Sequence, residues 1–350
     1  MYFSDVANII PELTSLIHID LSKNNLFNTE ATFDLLSKIE SLRKINLSEN
    51  FMNGQLPDSV ADLKNLEELR LDMNQLTSLS FKMNELTNLK VLTLSDNSIS
   101  ALPPELKGCT SLTYFNVRGN KISELKEFCT AWKNLERLYL GGNLFHAIPE
   151  DIGECENLLE LDMNSNQITE IPQGGISNCF KLKLLHLGNN KITEIPPEIL
   201  MTLTNLVDVQ LFKNKITEVP SEIGSLVNLR RMSLASNNIK SLPEEIGACT
   251  SIVELYLNNN AKFSKLPATT GHLQQLKELS IRKCPALKEI PHTMAVDASG
   301  GPTSGCIALR ELDVRAPKKQ VCKMTPEMMD VFESLGCVVR GGVVKKGKKK

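Results

Sequence analysis

One pattern governs what this chain can fold into. The string Leu-x-x-Leu-x-Leu-x-x-Asn, with Ile, Val, Phe or Met standing in for Leu, returns eleven times. It opens as Leu16, Ile19, Leu21 and Asn24, then Leu42, Ile45, Leu47 and Asn50, then Leu66, Leu69, Leu71 and Asn74, then Leu89, Leu92, Leu94 and Asn97. The Asn column continues through Asn120, Asn143, Asn166, Asn190, Asn214, Asn237 and Asn260. After a first interval of 26 residues, every step is 23 or 24. Two degenerate repeats follow. Leu276, Leu279 and Ile281 lead to Cys284 in the Asn position, and Leu309, Leu312 and Val314 lead to Pro317 after a longer step of 33. Thirteen repeats result. A unit of that length cannot bury its own apolar face, so the chain must stack its repeats side by side.

Each column has a physical reason. Leu-x-Leu is a short strand that turns alternate side chains into the core. Asn stands where the chain leaves the strand, and its amide can bond backbone groups of its own and the adjacent turn, so stacked Asn residues form a ladder. A second apolar residue follows, then Leu-Pro or its equivalent. Leu56-Pro57, Leu102-Pro103, Ile148-Pro149, Ile171-Pro172 and Ile195-Pro196 fit, as do Val219-Pro220, Leu242-Pro243, Leu266-Pro267 and Ile290-Pro291. Proline fixes φ and ends strand pairing, forcing a turn and a short helical segment on the far side. The reading is an α/β solenoid with a parallel sheet on its concave side.

These motifs resemble the leucine-rich repeat superfamily over residues 13–317. The continuation Glu222-Ile223-Gly224, Glu245-Ile246-Gly247 and Asp151-Ile152-Gly153 is similar to the intracellular Ras-group and polarity-scaffold subtype. That resemblance implies a non-enzymatic scaffold with a small GTPase or a phosphatase as partner. No residue of the chain specifies either.

Three residues before the first Leu of each motif lies an inward position. It holds Leu13, Ile39, Leu63, Leu86, Leu203, Leu226 and Leu273, but also Cys109, Cys155, Cys179, Cys249 and Cys306, and once Trp132. A column that accepts Leu, Cys and Trp is a buried column, and these thiols read as small hydrophobes. Cys129, Cys322 and Cys337 have no column. Nine cysteines without CxxC pairs indicate a reducing compartment. With no basic-plus-apolar leader at Met1–Asp5 and no apolar run of membrane-spanning length, the expected location is cytoplasmic, with nuclear as the variant.

The expected domain organisation has four parts. Residues 1–12 form a thin cap, with Ser4 or Asp5 starting a short helix that Pro11 ends. The solenoid occupies 13–317. Residues 318–342 form a second cap in which Thr325 and Pro326 start a helix, Met328, Met329, Phe332 and Leu335 share one face, Gly336 ends it and Cys337–Val339 is a strand. Residues 343–350 are a Lys-rich tail, and the Gly/Ser-rich stretch from His292 to Cys306 is an inserted loop. The chain carries 39 basic and 41 acidic residues, a formal charge of −2. From Arg315 onward the net is +7, so the preceding residues carry −9. Contact with a nucleic acid or another anionic surface is therefore expected only through Lys345–Lys350.

Enzyme signatures are missing: there is no P-loop, HExxH or GxSxG, and the five histidines are scattered. No cofactor, metal or small-molecule substrate is expected. Function falls to the outward strand positions. Between the strand leucines stand Asp20, Asn46, Arg70, Thr93, Asn116, Tyr139, Asp162, His186, Gln210, Ser233, Tyr256, Ser280 and Asp313. Aromatics are only 5% of the chain, yet Tyr114, Tyr139, Phe212 and Tyr256 all point outward, with Arg118, Arg137, Arg231 and His186 among them. Tyr and Arg dominate interface hot spots. At ~4.8 Å per strand, repeats five to eleven offer roughly 30 Å of binding face. The rival reading is a structural subunit of a cytoskeletal, ciliary or ribonucleoprotein assembly, tethered by the Lys tail. An enzyme subunit or ligase adaptor ranks last, because no further domain is fused.

Overall fold

A computed structural model describes residues 13–295, 305–316, 322–341 and 343–344. The first cap, Pro317, most of the inserted loop and the Lys tail lie outside the described residues. The chain forms two compact units, residues 1–167 with 174–181 and residues 168–173 with 182–350.

In the first unit the strands are β1 His18–Asp20, β2 Lys44–Asn46, β3 Asn53–Gln55, β4 Glu68–Arg70, β5 Gln75–Ser78, β6 Val91–Thr93, β7 Tyr114–Asn116, β8 Arg137–Tyr139 and β9 Glu160–Asp162. All but β3 and β5 join one parallel sheet in strict register, so that Leu69, Leu92, Phe115, Leu138 and Leu161 form one inward row. The second unit repeats this with β10 Leu184–His186, β11 Asp208–Gln210, β12 Arg231–Ser233, β13 Glu254–Tyr256, β14 Glu278–Ser280 and β15 Glu311–Asp313. Then come β16 Lys323–Met324, β17 Val338–Arg340, which pairs with β15, and β18 Val343–Val344, which pairs with β16.

The asparagine ladder forms as its chemistry requires. Asn143 Nδ2 donates to Val117 O at 2.9 Å and Leu140 O at 3.0 Å, while its Oδ1 accepts from Ile122 N at 3.0 Å. Where Cys284 replaces Asn, its thiol takes over one donor role and bonds Leu257 O at 3.3 Å. The residue before each Asn turns left-handed, from Lys23 at φ 57° to Lys283 at φ 57°, with Gly119 and Gly142 at 65° among them. Sequence columns of Lys, Glu, Ser and Gly at that place carried the signal, because nothing β-branched occurs there.

On the far side, Pro57, Pro103, Pro149, Pro220, Pro243 and Pro267 each precede a five-residue 3₁₀ turn. The residue that closes each turn is the inward column itself: Leu63, Cys109, Cys155, Leu226, Cys249 and Leu273. Every member of that column is buried except Leu13, which is 37% exposed. The correction has a simple cause, since a first repeat has no described repeat stacked before it. The 26-residue first interval makes room for a true helix, α1 Thr29–Leu36, capped by Asn28, whose side chain accepts from Ala31 N at 3.0 Å. A second helix, α2 Pro197–Thr202, replaces one 3₁₀ turn.

A third helix lies in the stretch expected to form the second cap. α3 runs Pro326–Ser334, Thr325 Oγ1 accepts from Met328 N at 3.3 Å, and Met328 and Phe332 are buried. Gly336 ends it at φ 69°. Met329 and Leu335 are only half-buried, and the strand starts at Val338 rather than Cys337.

All nine cysteines are buried free thiols. In the column, Cys109, Cys249 and Cys306 donate to the carbonyls of Met83, Ile223 and Thr270 in the repeat before, at 3.1, 3.1 and 3.3 Å. Burial pushes each of these three thiols up to about 12. At pH 8 the native protein is therefore expected to leave Ellman's reagent unreacted over minutes, and to titrate nine thiols once unfolded. A thiol that reacts at full speed in the native state would contradict the buried-column reading.

Candidate protein-binding face

In the first unit, strands β7 and β8 bring the expected residues together. In-register pairing sets Tyr114 beside Arg137, and the rings of Tyr114 and Tyr139 meet with centroids 5.3 Å apart and a 57° tilt. Both rings are half-buried. The Tyr139 hydroxyl donates to Glu160 Oε2, and Arg137 Nε donates to Glu160 Oε1 at 3.1 Å. Burial, and then that carboxylate, hold the Tyr139 phenol well above its ordinary pKa. Tyr114 is raised too, by burial and the nearby charge of Asp72. Both are neutral phenols at any physiological pH.

Arg118 leaves the end of β7 and reaches over Gly141 to Asp162, with Nη1 3.3 Å from Oδ2. A Cβ on Gly141 would sit 3.4 Å from Arg118 Nε and 3.3 Å from Asp162 Oδ1, tight enough to disturb the crossing. The Arg118 side chain stays 54% exposed while Asp162 beneath it is almost fully covered.

The second unit holds the other four expected residues. Phe212 lies flat over Gly188, where a Cβ would come within 2.4 Å of its ring. Arg231 is fully engaged: Nε and Nη2 donate to Glu254 at 2.7 and 3.0 Å, and Nη1 donates to Asp208 at 3.0 Å. His186 Nε2 lies 3.5 Å from Asp208 Oδ2. Burial alone would raise the Asp208 carboxyl. Its contacts with His186, Gln210 and Arg231 outweigh that and hold it below the ordinary value. The Tyr256 hydroxyl lies 2.6 Å from Glu278 and 3.1 Å from Glu254.

One expectation needs correction. The outward columns do not all face solvent, for Thr93, Asp162, Asp208, Ser233 and Asp313 are buried. Longer neighbours lie across them, as Arg118 does on Asp162 and Arg315 does on Asp313, where Nη2 meets Oδ2 at 2.7 Å. Each of Arg118, Arg137 and Arg231 is paired with an acid of a neighbouring strand or, for Arg118, of the strand beyond it. The roles of Gly141, Gly188 and Glu278 escaped the sequence reading. Their signal lay in reading each outward residue against its neighbour one repeat on.

Stacked strand–turn repeats with an ordered polar row on one sheet face define an α/β repeat solenoid built to present a surface. The Leucine rich repeat family model matches residues 64–122, 133–192, 156–216 and 180–239, and the chain belongs to the leucine-rich repeat superfamily. Among curated proteins it is similar to an adenylate cyclase of Neurospora crassa, 32% identical over 99 residues, 28% of this chain but 4% of that one. Among solved structures, a leucine-rich repeat protein of Leptospira interrogans superposes with a TM-score of 0.67 at 23% identity, covering 97% of this chain and 98% of that one. The PEPR1–AtPEP1 structure gives 0.74 at 25%, covering 94% and 45%. The functional domain of InlJ from Listeria monocytogenes gives 0.69 at 20%, covering 90% and 70%. Among the described residues no helix is long and apolar enough to cross a membrane, and no group of three or more His, Cys, Asp or Glu is placed to hold a metal ion.

Proposed function

We propose that the chain is a non-enzymatic protein-binding scaffold that works inside the cell, in small-GTPase or phosphatase signalling. The observation that carries the binding reading is the Tyr114–Tyr139 pair flanked by Arg118 and Arg137. Two rings and two half-exposed guanidiniums stand together on one sheet face, and Tyr and Arg are the residues that dominate interface hot spots. In the second unit, Phe212, Arg231, Tyr256 and His186 play the same part. Nine thiols kept free support an intracellular site of action. The pathway follows from the resemblance to Ras-group repeats alone.

Two triple variants test this, Tyr114→Ala/Arg137→Ala/Tyr139→Ala and Phe212→Ala/Arg231→Ala/Tyr256→Ala, each first checked for a cooperative melt. Affinity capture with quantitative mass spectrometry should show specific partners depleted at least about tenfold by one variant or both, as loss of a hot spot implies. An unchanged partner list would remove the sheet face from consideration. Loss on deleting residues 345–350, with a steep salt dependence, would instead favour the tethered structural subunit.

A further inference from the structure

Two phenylalanines of the first unit stand exposed at places where most repeats carry something polar or small. Three positions after the Asn column most repeats carry a polar residue such as Asn53, Thr77 or Ser100; the first carries Phe27, whereas the apolar residues at that place in later repeats, Phe263 and Leu287, are buried. Directly after the Leu-Pro position, others carry residues such as Asp58, Glu150 and Ser221, but the third carries Phe81. The core does not use either ring. Phe27 is 71% and Phe81 64% exposed, the two highest exposures among the large hydrophobic residues described. Stacking requires neither, so a phenylalanine at these places costs solubility and returns nothing to the fold.

The two rings border one open groove of about 880 Å³. Asn53 and Gln55 of β3 line it, together with Glu30 in the first turn of α1 and Asp58. The rim is held in place. Thr29 Oγ1 donates to Asn53 O at 2.7 Å and accepts from Asn53 N at 3.0 Å, and Asn53 Nδ2 donates to Phe27 O at 3.1 Å. A groove fixed in this way binds without the entropy cost of ordering its walls. Its charge is one-sided. Glu30 has no ion-pair or hydrogen-bond partner among the described residues. Asp58 accepts from Ser80 Oγ at 2.7 Å and has Lys82 Nζ 3.7 Å away, outside the groove lining.

We infer that this groove docks a segment of a partner protein in which an apolar side chain neighbours a lysine or arginine. The apolar side chain seats between Phe27 and Phe81, and the cation meets Glu30 and Asp58, with the Phe faces adding cation–π attraction. The two Phe rings select against a purely basic tail, and the Glu30 carboxylate selects against a neutral or acidic segment. This surface is separate from the sheet face and does not depend on it.

The test uses the full chain as bait for a phage-displayed library of random twelve-residue peptides. The expected outcome is an enriched motif pairing an apolar residue with Lys or Arg. A synthetic peptide of that motif should bind at least about tenfold more weakly to Phe81→Ser, and several-fold more weakly to Glu30→Gln. Both substitutions are at exposed positions and should leave the melting curve unchanged. An enriched motif without a basic residue, no enriched motif at all, or binding indifferent to Phe81→Ser would overturn the inference. So would sedimentation velocity showing a self-associating chain that Phe81→Ser renders monomeric, because the occupant would then be a second copy.

Discussion

Asn143→Ala is expected to destabilise the first unit by about 2 kcal/mol, since a buried amide loses bonds to four backbone groups at once and leaves one of them without a partner. The side chain is only 5% exposed, so water does not replace what is lost. The Ile122 N–H loses its acceptor, while the carbonyls of Val117, Leu140 and Gly141 each lose one donor but keep another, from Asn120 Nδ2, Asn166 Nδ2 and Gly119 N. The one buried, unsatisfied N–H costs about 1–3 kcal/mol, and the donors lost at the carbonyls add a smaller amount. Asn143→Asp tests the chemistry rather than the volume. A carboxylate can still accept from Ile122 N, but it cannot donate to the carbonyls and would repel them. It should therefore be at least as damaging as alanine at neutral pH, and less so when protonated at low pH. Urea unfolding followed by circular dichroism reads both. A loss below about 1 kcal/mol for Asn143→Ala would show that the ladder is not a source of stability.

Trp132→Ala should cost about 3–5 kcal/mol, the range for removing a large buried aromatic. The indole is fully buried, with its ring centroid 4.9 Å from both Phe115 and Phe128. Its Nε1 also lies 3.4 Å from Leu106 O, a long and weak hydrogen bond. This repeat lacks the Leu-Pro turn, and Phe128 packs against Trp132. Trp132→Leu should cost less, because leucine is a residue the column holds in other repeats. Loss of the chain's single tryptophan removes intrinsic indole fluorescence, so hydrogen exchange is the better readout. Exchange should accelerate first in the amides of residues 112–140 and only later elsewhere in the unit, as nearest-neighbour stacking predicts. An equal acceleration throughout would contradict that local picture.

The Phe27–Phe81 groove and the sheet face differ in how they were legible. The candidate residues Tyr114, Tyr139, Phe212 and Tyr256 could be found by reading columns, because strand periodicity fixes which side chains leave the core. Phe27 and Phe81 were equally open to that method, as departures from polar columns. Their convergence on one groove was not, for they belong to the first and third repeats and share a site only once β3 and α1 are in place. Likewise, the strand alternation gave Asp162 and Asp208 as outward residues. It could not say that arginines would lie over them, because a long side chain's direction depends on which neighbours are small.

What the sequence alone determined is everything that repeats. A column of Asn, a Leu-x-Leu strand and a Leu-Pro turn each answer to local chemistry and to an identical neighbour, so periodicity suffices to specify register, burial and the ladder. The inward column of Leu, Cys and Trp belongs here too. What only the tertiary structure decided is what breaks the repeat. Gly141 and Gly188 admit Arg118 and Phe212 across a strand, Arg231 is claimed by Glu254 and Asp208, and two exposed phenylalanines enclose an acidic groove. Those outcomes depend on unlike residues meeting between strands and repeats, which distance along the chain does not reveal.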